Sequence, residues 1–131
     1  MTNPVERWHR LAQARDPSQL DDLLADDVVF LSPVVHTPQR GKAITKAYLA
    51  AALQVLGNEQ FRYVREIVGA QDAVLEFETV IDGIAINGVD LIRWDWTGRI
   101  TEFKVMVRPL KAVNMLHQQM AAMLERAGRP A

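Results

Sequence analysis

The sequence predicts an α+β domain: three helices, then a run of long antiparallel strands wrapped on them, then one more helix. Three observations predict it. Apolar residues recur at helical spacing before Gly57, four β-rich runs parted by turn sequences fill Phe61 to Arg108, and helical spacing returns from Leu110. With 131 residues, the chain has the length of one domain with a core of its own, so residues 1–131 are expected to form a single unit.

Residues 4 to 15 place Val5, Trp8, Leu11 and Ala12 on one helical stripe, and Asn3-Pro4 supplies a cap followed by a first-turn proline. Asp16-Pro17-Ser18 breaks that helix, Ser18 caps a short second one through Leu24, and Val28 to Leu31 reads as a strand. After the break from Pro33 to Arg40, Gly41 opens a helix to about Leu56 with Ile44, Tyr48, Ala51, Ala52 and Val55 on its apolar stripe, and Gly57-Asn58 closes it. The strands are Phe61 to Val68, Ala73 to Ile81, Ile84 to Trp96 and Arg99 to Arg108. They are joined at Gly69-Ala70-Gln71-Asp72, Asp82-Gly83 and Thr97-Gly98, which makes an antiparallel meander. Pro109 ends it. Leu110 to Ala127 forms the last helix, with Val113, Leu116, Met120, Met123 and Leu124 apolar, and Gly128 to Ala131 is expected to fray.

Composition narrows the function classes. Fifteen basic against sixteen acidic side chains leave no field that would recruit nucleic acid or an anionic membrane. The absence of cysteine excludes disulfides and thiolate chemistry. The opening residues Met1 to Arg10 lack an apolar core of signal-peptide length and no run approaches a membrane span, so the expected location is cytoplasmic, without a membrane partner. His9, His36 and His117 are too scattered for a metal site on one element, and no metal or cofactor is expected.

Asp90 is the residue that points to chemistry. It stands in the strand Val89-Asp90-Leu91-Ile92-Arg93-Trp94, where alternation turns Asp90, Ile92 and Trp94 inward, and the following strand would present Phe103, Val105 and Val107 to the same space. A carboxylate on such a face costs several kcal/mol unless it is satisfied or used, so the pattern describes an apolar small-molecule pocket with one acid in it. Tyr48 and Trp8 would either form other walls from the helices or pack as ordinary core residues of their stripes. Ser32, after the first strand, would hydrogen-bond a ligand or cap the turn at Pro33. His36, in the loop that follows, is the candidate base, its pKa near neutrality suiting that role. Glu76 and Glu78 share the outer strand face, Arg62, Arg65 and Arg93 point outward, and Arg93, Lys104, Arg108 and Lys111 alternate with Asp95 and Glu102 in a pattern suited to ion pairs.

Three local signatures give the chain a family likeness: Ala25-Asp26-Asp27-Val28 leading into the first strand, Ser32-Pro33 followed by Gly41, and Val89-Asp90 followed by Arg93-Trp94-Asp95 and Gly98-Arg99-Ile100. With them, in this order of elements, the chain resembles the NTF2-like superfamily, and within it the ketosteroid isomerase and SnoaL-like polyketide cyclase group. The resemblance implies a cone-shaped fold with a cavity between sheet and helices, and a homodimer through the outer sheet face. Ketosteroid isomerases use an aspartate base and an oxyanion hole made of a tyrosine and a protonated aspartate. Asp90 matches the protonated aspartate, whereas Ser32 stands at the position of the base and Trp8 near that of the tyrosine, so ketosteroid isomerisation itself is not expected. The Asp-Arg-Asp arrangement of a limonene epoxide hydrolase is matched only at Asp90. The resulting expectation is a cofactor-independent isomerase, cyclase or lyase on a small apolar carbonyl compound, with Asp90 as acid or oxyanion donor. The alternatives are a non-catalytic binder of a hydrophobic metabolite and a dimerisation module whose cavity is filled by Trp8, Trp94 and Phe103.

Overall fold

A computed structural model describes residues 3–126 and Gly128. The predicted end of the last helix at Ala127 and the fraying of the final residues other than Gly128 lie outside the described residues.

Helix α1 spans Pro4–Ala14. The Asn3 side chain accepts a hydrogen bond from the Glu6 N–H at 2.9 Å, satisfying one of the free donors of its first turn. Arg15, in the left-handed region at φ 51°, ends it. Asp16 accepts from the Ser18 amide and hydroxyl and caps a single 3-10 turn, Pro17–Gln19, which runs into the short helix α2, Leu20–Leu23. The predicted second helix is thus split. The first strand, β1, starts earlier than the pattern suggested and covers Leu24–Leu31. After the two-residue strand β2, Gln39–Arg40, Gly41 turns the chain at φ 106° into α3, Lys42–Leu56. The meander follows as β3 Arg62–Val68, β4 Asp72–Ile81, β5 Ile84–Trp94 and β6 Ile100–Arg108, and α4 covers Leu110–Arg126.

The six strands form one curved sheet in the order β2-β1-β6-β5-β4-β3. The architecture is the α+β cone expected from the sequence, with one refinement: β1 lies parallel to β6, pairing Phe30 with Phe103, so the sheet is mixed and not wholly antiparallel. Local alternation specifies which face a strand buries. It does not specify which distant strand lies beside it or in which direction.

Alternation sends Leu75, Phe77, Ile86, Asp90, Ile92, Phe103 and Val105 to the inner face, where Trp8 and Leu11 of α1, Leu49 and Leu53 of α3, and Leu116 and Leu124 of α4 close the core. Gly88 lies among them because its partner across the strands, Phe77, lays its ring over it. On β3 a bulge between Tyr63 and Arg65 inserts Val64 as an extra residue. Without it Arg62 and Arg65 would face opposite sides. With it both point outward, toward Glu78 at 3.0 Å and Glu76 at 3.3 Å. Both arginines are well exposed, and such surface pairs contribute little to stability. Among the described residues, no helix is long and apolar enough to cross a membrane.

One buried group stands out in this core. Thr45 of α3 is fully enclosed and its hydroxyl has no hydrogen-bond partner among the described residues. Replacing an unsatisfied hydroxyl by a methyl of the same shape removes a desolvation penalty of about 1–3 kcal/mol. Thr45→Val is therefore expected to raise the urea midpoint with unchanged slope, and a lowered midpoint would mean that the hydroxyl is satisfied.

Candidate functional site

Between the sheet and the helices lies a cavity of about 90 Å³, walled almost wholly by apolar side chains. Asp90 faces into it from the middle of β5. Its in-register neighbours on β4 and β6 are Leu75 and Val105, so nothing charged stands beside it on its own sheet face. Asp90 is only 6 % exposed. This burial pushes its carboxyl up to about 7, opposed only by one hydrogen bond that favours the charged form.

That bond comes from Tyr63, whose hydroxyl donates to Asp90 Oδ2 at 2.6 Å. The same hydroxyl accepts from the Trp8 indole N–H at 2.8 Å. The three residues form a chain from helix to edge strand to central strand. Burial, and then the Asp90 charge beside it, hold the Tyr63 phenol well above its ordinary range, so it remains a proton donor at any ordinary pH. Oδ1 of Asp90 makes no hydrogen bond among the described residues, and it is not among the sealed, partnerless atoms. It is the free oxygen of the site.

Aromatic packing fixes this chain. Trp8 meets Phe103 edge-on with centroids 4.8 Å apart. Tyr63 is held edge-on by Phe61 at 5.1 Å and by His9 at 5.0 Å. On the solvent side His9 pairs with Glu66 through Nε2 and Oε1.

Of the residues singled out from the sequence, Asp90, Trp8, Ser32, Tyr48, Phe103, Val105 and Val107 all border the cavity. Ile92 and Trp94 do not. They share the inner face with Asp90, but each step of two residues moves about 6.6 Å along a strand, which carries them past the cavity into packed core. His36 does not border it either. The Ser32 hydroxyl accepts from the amides of Val34 and Val35 at 3.1 and 3.3 Å, curling the loop so that these valines cover the cavity and His36 stands exposed. The same two bonds commit the lone pairs of the Ser32 oxygen to its own turn.

Two lining residues with polar chemistry were missed by the sequence reading, Tyr63 and His117. Tyr63 had a usable signal, because an outward Arg62 directly before it implies an inward tyrosine. His117 is exposed and still lines the cavity, which places it at the rim. It neighbours Leu116 and Met120 on the apolar stripe of α4, a position that helical spacing marks as flanking. No group of three or more potential metal ligands occurs among the described residues.

Residues 5–103 match the profile of the SnoaL-like domain. The chain belongs to that family. The structure of this SnoaL-like protein is similar to that of a steroid delta-isomerase from Pseudomonas aeruginosa, at 36% sequence identity and TM-score 0.89 over 95% of this chain and 90% of that one. It is also similar to an uncharacterised bacterial protein with a cystatin-like fold from Silicibacter pomeroyi, at 33% identity and TM-score 0.87 over 95% and 87% of the two chains. An NTF2-like protein of unknown function from Mesorhizobium loti shares the fold, at 22% identity and TM-score 0.70 over 81% and 88%. Among curated proteins no sequence matches this SnoaL-like chain.

Proposed function

We propose that this SnoaL-like protein binds a small apolar carbonyl compound in its cavity and moves a proton on it without a cofactor, as an isomerase, cyclase or lyase, with Asp90 as acid and oxyanion donor. The observation that carries the reading is a buried carboxyl, raised to about 7, with one unpaired oxygen opening on an apolar cavity. Near neutral pH such a group is divided between its two protonation states, the condition for efficient general acid–base catalysis. The protonated fraction can donate to an oxygen on which negative charge develops. The likeness to a steroid delta-isomerase supports a carbonyl substrate. The cavity, at about 90 Å³, is well below the roughly 300–1,000 Å³ of sites that enclose drug-sized ligands, which favours a single-ring or short branched compound over a steroid nucleus. His117 at the rim, not His36, is the histidine within reach of such a ligand.

Asp90→Asn keeps the shape and the Tyr63 acceptor but cannot exchange a proton. On a small enone identified by thermal-shift screening, its kcat is expected to fall at least a hundredfold while the fold is retained. A variant turning over at the wild-type rate would remove Asp90 from the chemistry.

A second reading, a binder without turnover, is favoured by Ser32, whose hydroxyl is tied to the backbone where related isomerases carry their base. Saturable binding with no product from pH 5 to 9 would select it. The dimerisation module is less well supported, because Trp8 and Phe103 wall the cavity without filling it and Trp94 lies elsewhere. A second copy on the outer sheet face, where Ile67 and Met106 are 61 % and 53 % exposed, is compatible with either of the first two readings.

A further inference from the structure

We propose that Trp8 sets the ligand preference of this cavity: by occupying Tyr63 it commits the tyrosine proton to Asp90, leaving Asp90 Oδ1 as the site's polar anchor, which selects an alcohol when ionised and the matching ketone when protonated. This rests on the assignment of the cavity as a small-molecule site.

The argument is one of proton counting. An indole N–H can only donate, and a phenol has one proton and two lone pairs. Since Trp8 donates to the Tyr63 oxygen at 2.8 Å, the single Tyr63 proton goes to the carboxyl oxygen 2.6 Å away. Neither residue has a donor left for a ligand. A tyrosine in place of Trp8 would be free to turn its hydroxyl toward the cavity, and the site would then offer a donor whatever the state of Asp90. Here the polarity of the chain is fixed from helix to strand, and everything these three residues can offer a ligand depends on whether Oδ1 carries a proton.

The surroundings make that dependence sharp. The cavity walls beside Asp90 on β4 and β6 are Phe77, Phe103 and Val105, so a ligand oxygen mismatched to Oδ1 finds no other partner there. A ketone against the carboxylate sets acceptor against acceptor, and an unmatched buried polar pair of this kind weakens binding by about tenfold or more. The groups that could titrate alongside are few. Tyr48 of α3 and His117 of α4 border the same cavity, and the His9–Glu66 pair of α1 and β3 lies behind the Tyr63 ring. Burial places the titration of Asp90 at about 7, so the exchange of preference falls between mildly acid and mildly alkaline pH.

The test is isothermal calorimetry with cyclohexanol and cyclohexanone, and with 2-cyclohexen-1-ol and 2-cyclohexen-1-one, at pH 5.5 and pH 8.5. Wild type is expected to bind the alcohols about tenfold tighter than the ketones at pH 8.5, and to lose or invert that ratio at pH 5.5. Asp90→Asn should abolish the pH dependence, and His117→Ala should keep it. Tyr63→Phe removes the bond that favours the carboxylate, so the exchange should move to higher pH. Trp8→Tyr should restore ketone binding at pH 8.5 and bring the ratio toward one. Binding of both compounds with a ratio that ignores pH, or a pH effect abolished by His117→Ala, would overturn the inference and leave the cavity as a binding site. Binding of neither compound at either pH would overturn the inference together with the carbonyl-compound reading on which it rests.

Discussion

At pH 8, Asp90→Asn is expected to melt on the order of 10 °C higher than wild type, even though it removes the group on which the proposed function depends. The cause is the raised carboxyl. Asp90 titrates at about 7 in the fold, against 3.8 for an ordinary aspartate. The folded state therefore binds more protons than the unfolded chain between these values, and stability falls as pH rises through that window. The contribution of neutral Asp90 is fully present below about pH 4 and lost by about pH 7, a span worth about 4 kcal/mol. Asparagine does not titrate and loses nothing. The gap between the two proteins should be small at pH 4, widen to pH 7 and then level off. In a domain of this size each kcal/mol moves the melting temperature by roughly 3–5 °C. The exposed carboxylates of Asp16, Asp21 and Asp95, held below their usual range by hydrogen bonds from Ser18, Lys46 and Thr97 respectively, are common to both proteins and cancel in the comparison. Differential scanning calorimetry of the pair from pH 4 to 9 checks this. A gap that shrinks as pH rises would show that the Asp90 carboxyl is not raised.

The second large effect comes from one hydrogen atom. A Cβ at position 88 would lie 2.4 Å from Phe77 Cζ and 2.7 Å from the Met106 carbonyl oxygen. The Phe77 ring could turn aside only by entering the cavity or displacing Phe61, with which it stacks at 5.2 Å. The Met106 carbonyl belongs to the strand next door and cannot turn at all without breaking the ladder. Gly88→Ala is expected to cost about 2–4 kcal/mol, read as a lowered urea midpoint. Adding Phe77→Leu should recover only part of the loss, because the backbone clash remains. A single variant with the wild-type midpoint would mean that β5 and β6 can part locally at no cost.

What the sequence made legible follows the range of the forces involved. Asp90 could be found because strand alternation is local, and a carboxylate at an inward position conflicts with it conspicuously. The three longer helices were legible for the same reason, down to the Asn3 cap, whereas the short second helix is split and capped by Asp16, not Ser18. Alternation gives a face but not a depth, which is why Ile92 and Trp94 were assigned to the cavity with Asp90 although they lie beyond it. His36 was misdirected by two bonds to the Ser32 hydroxyl, which decide where the loop points and leave no periodic trace. Tyr63 was legible as an inward residue, but its partner was not. That Tyr63 and Asp90 meet depends on how β3 and β5 are seated on either side of β4, where Gly88 leaves room for the Phe77 ring. The parallel seating of β1 against β6 depends on the path of everything between them.

That seating bears on how the chain acquires its shape. The meander from β3 to β6 is assembled from neighbours in sequence, each strand turning back on the one before it, and can form early and fast. β1 is made first by the ribosome, yet its long partner is made almost last: Phe30 must wait for Phe103. Until then a strand as apolar as Val28-Val29-Phe30-Leu31 has only the two residues of β2 to pair with in the sheet. The N-terminal third of this protein is therefore expected to emerge as a segment in need of shelter, with the docking of the oldest strand onto the youngest as the expected closing event of folding.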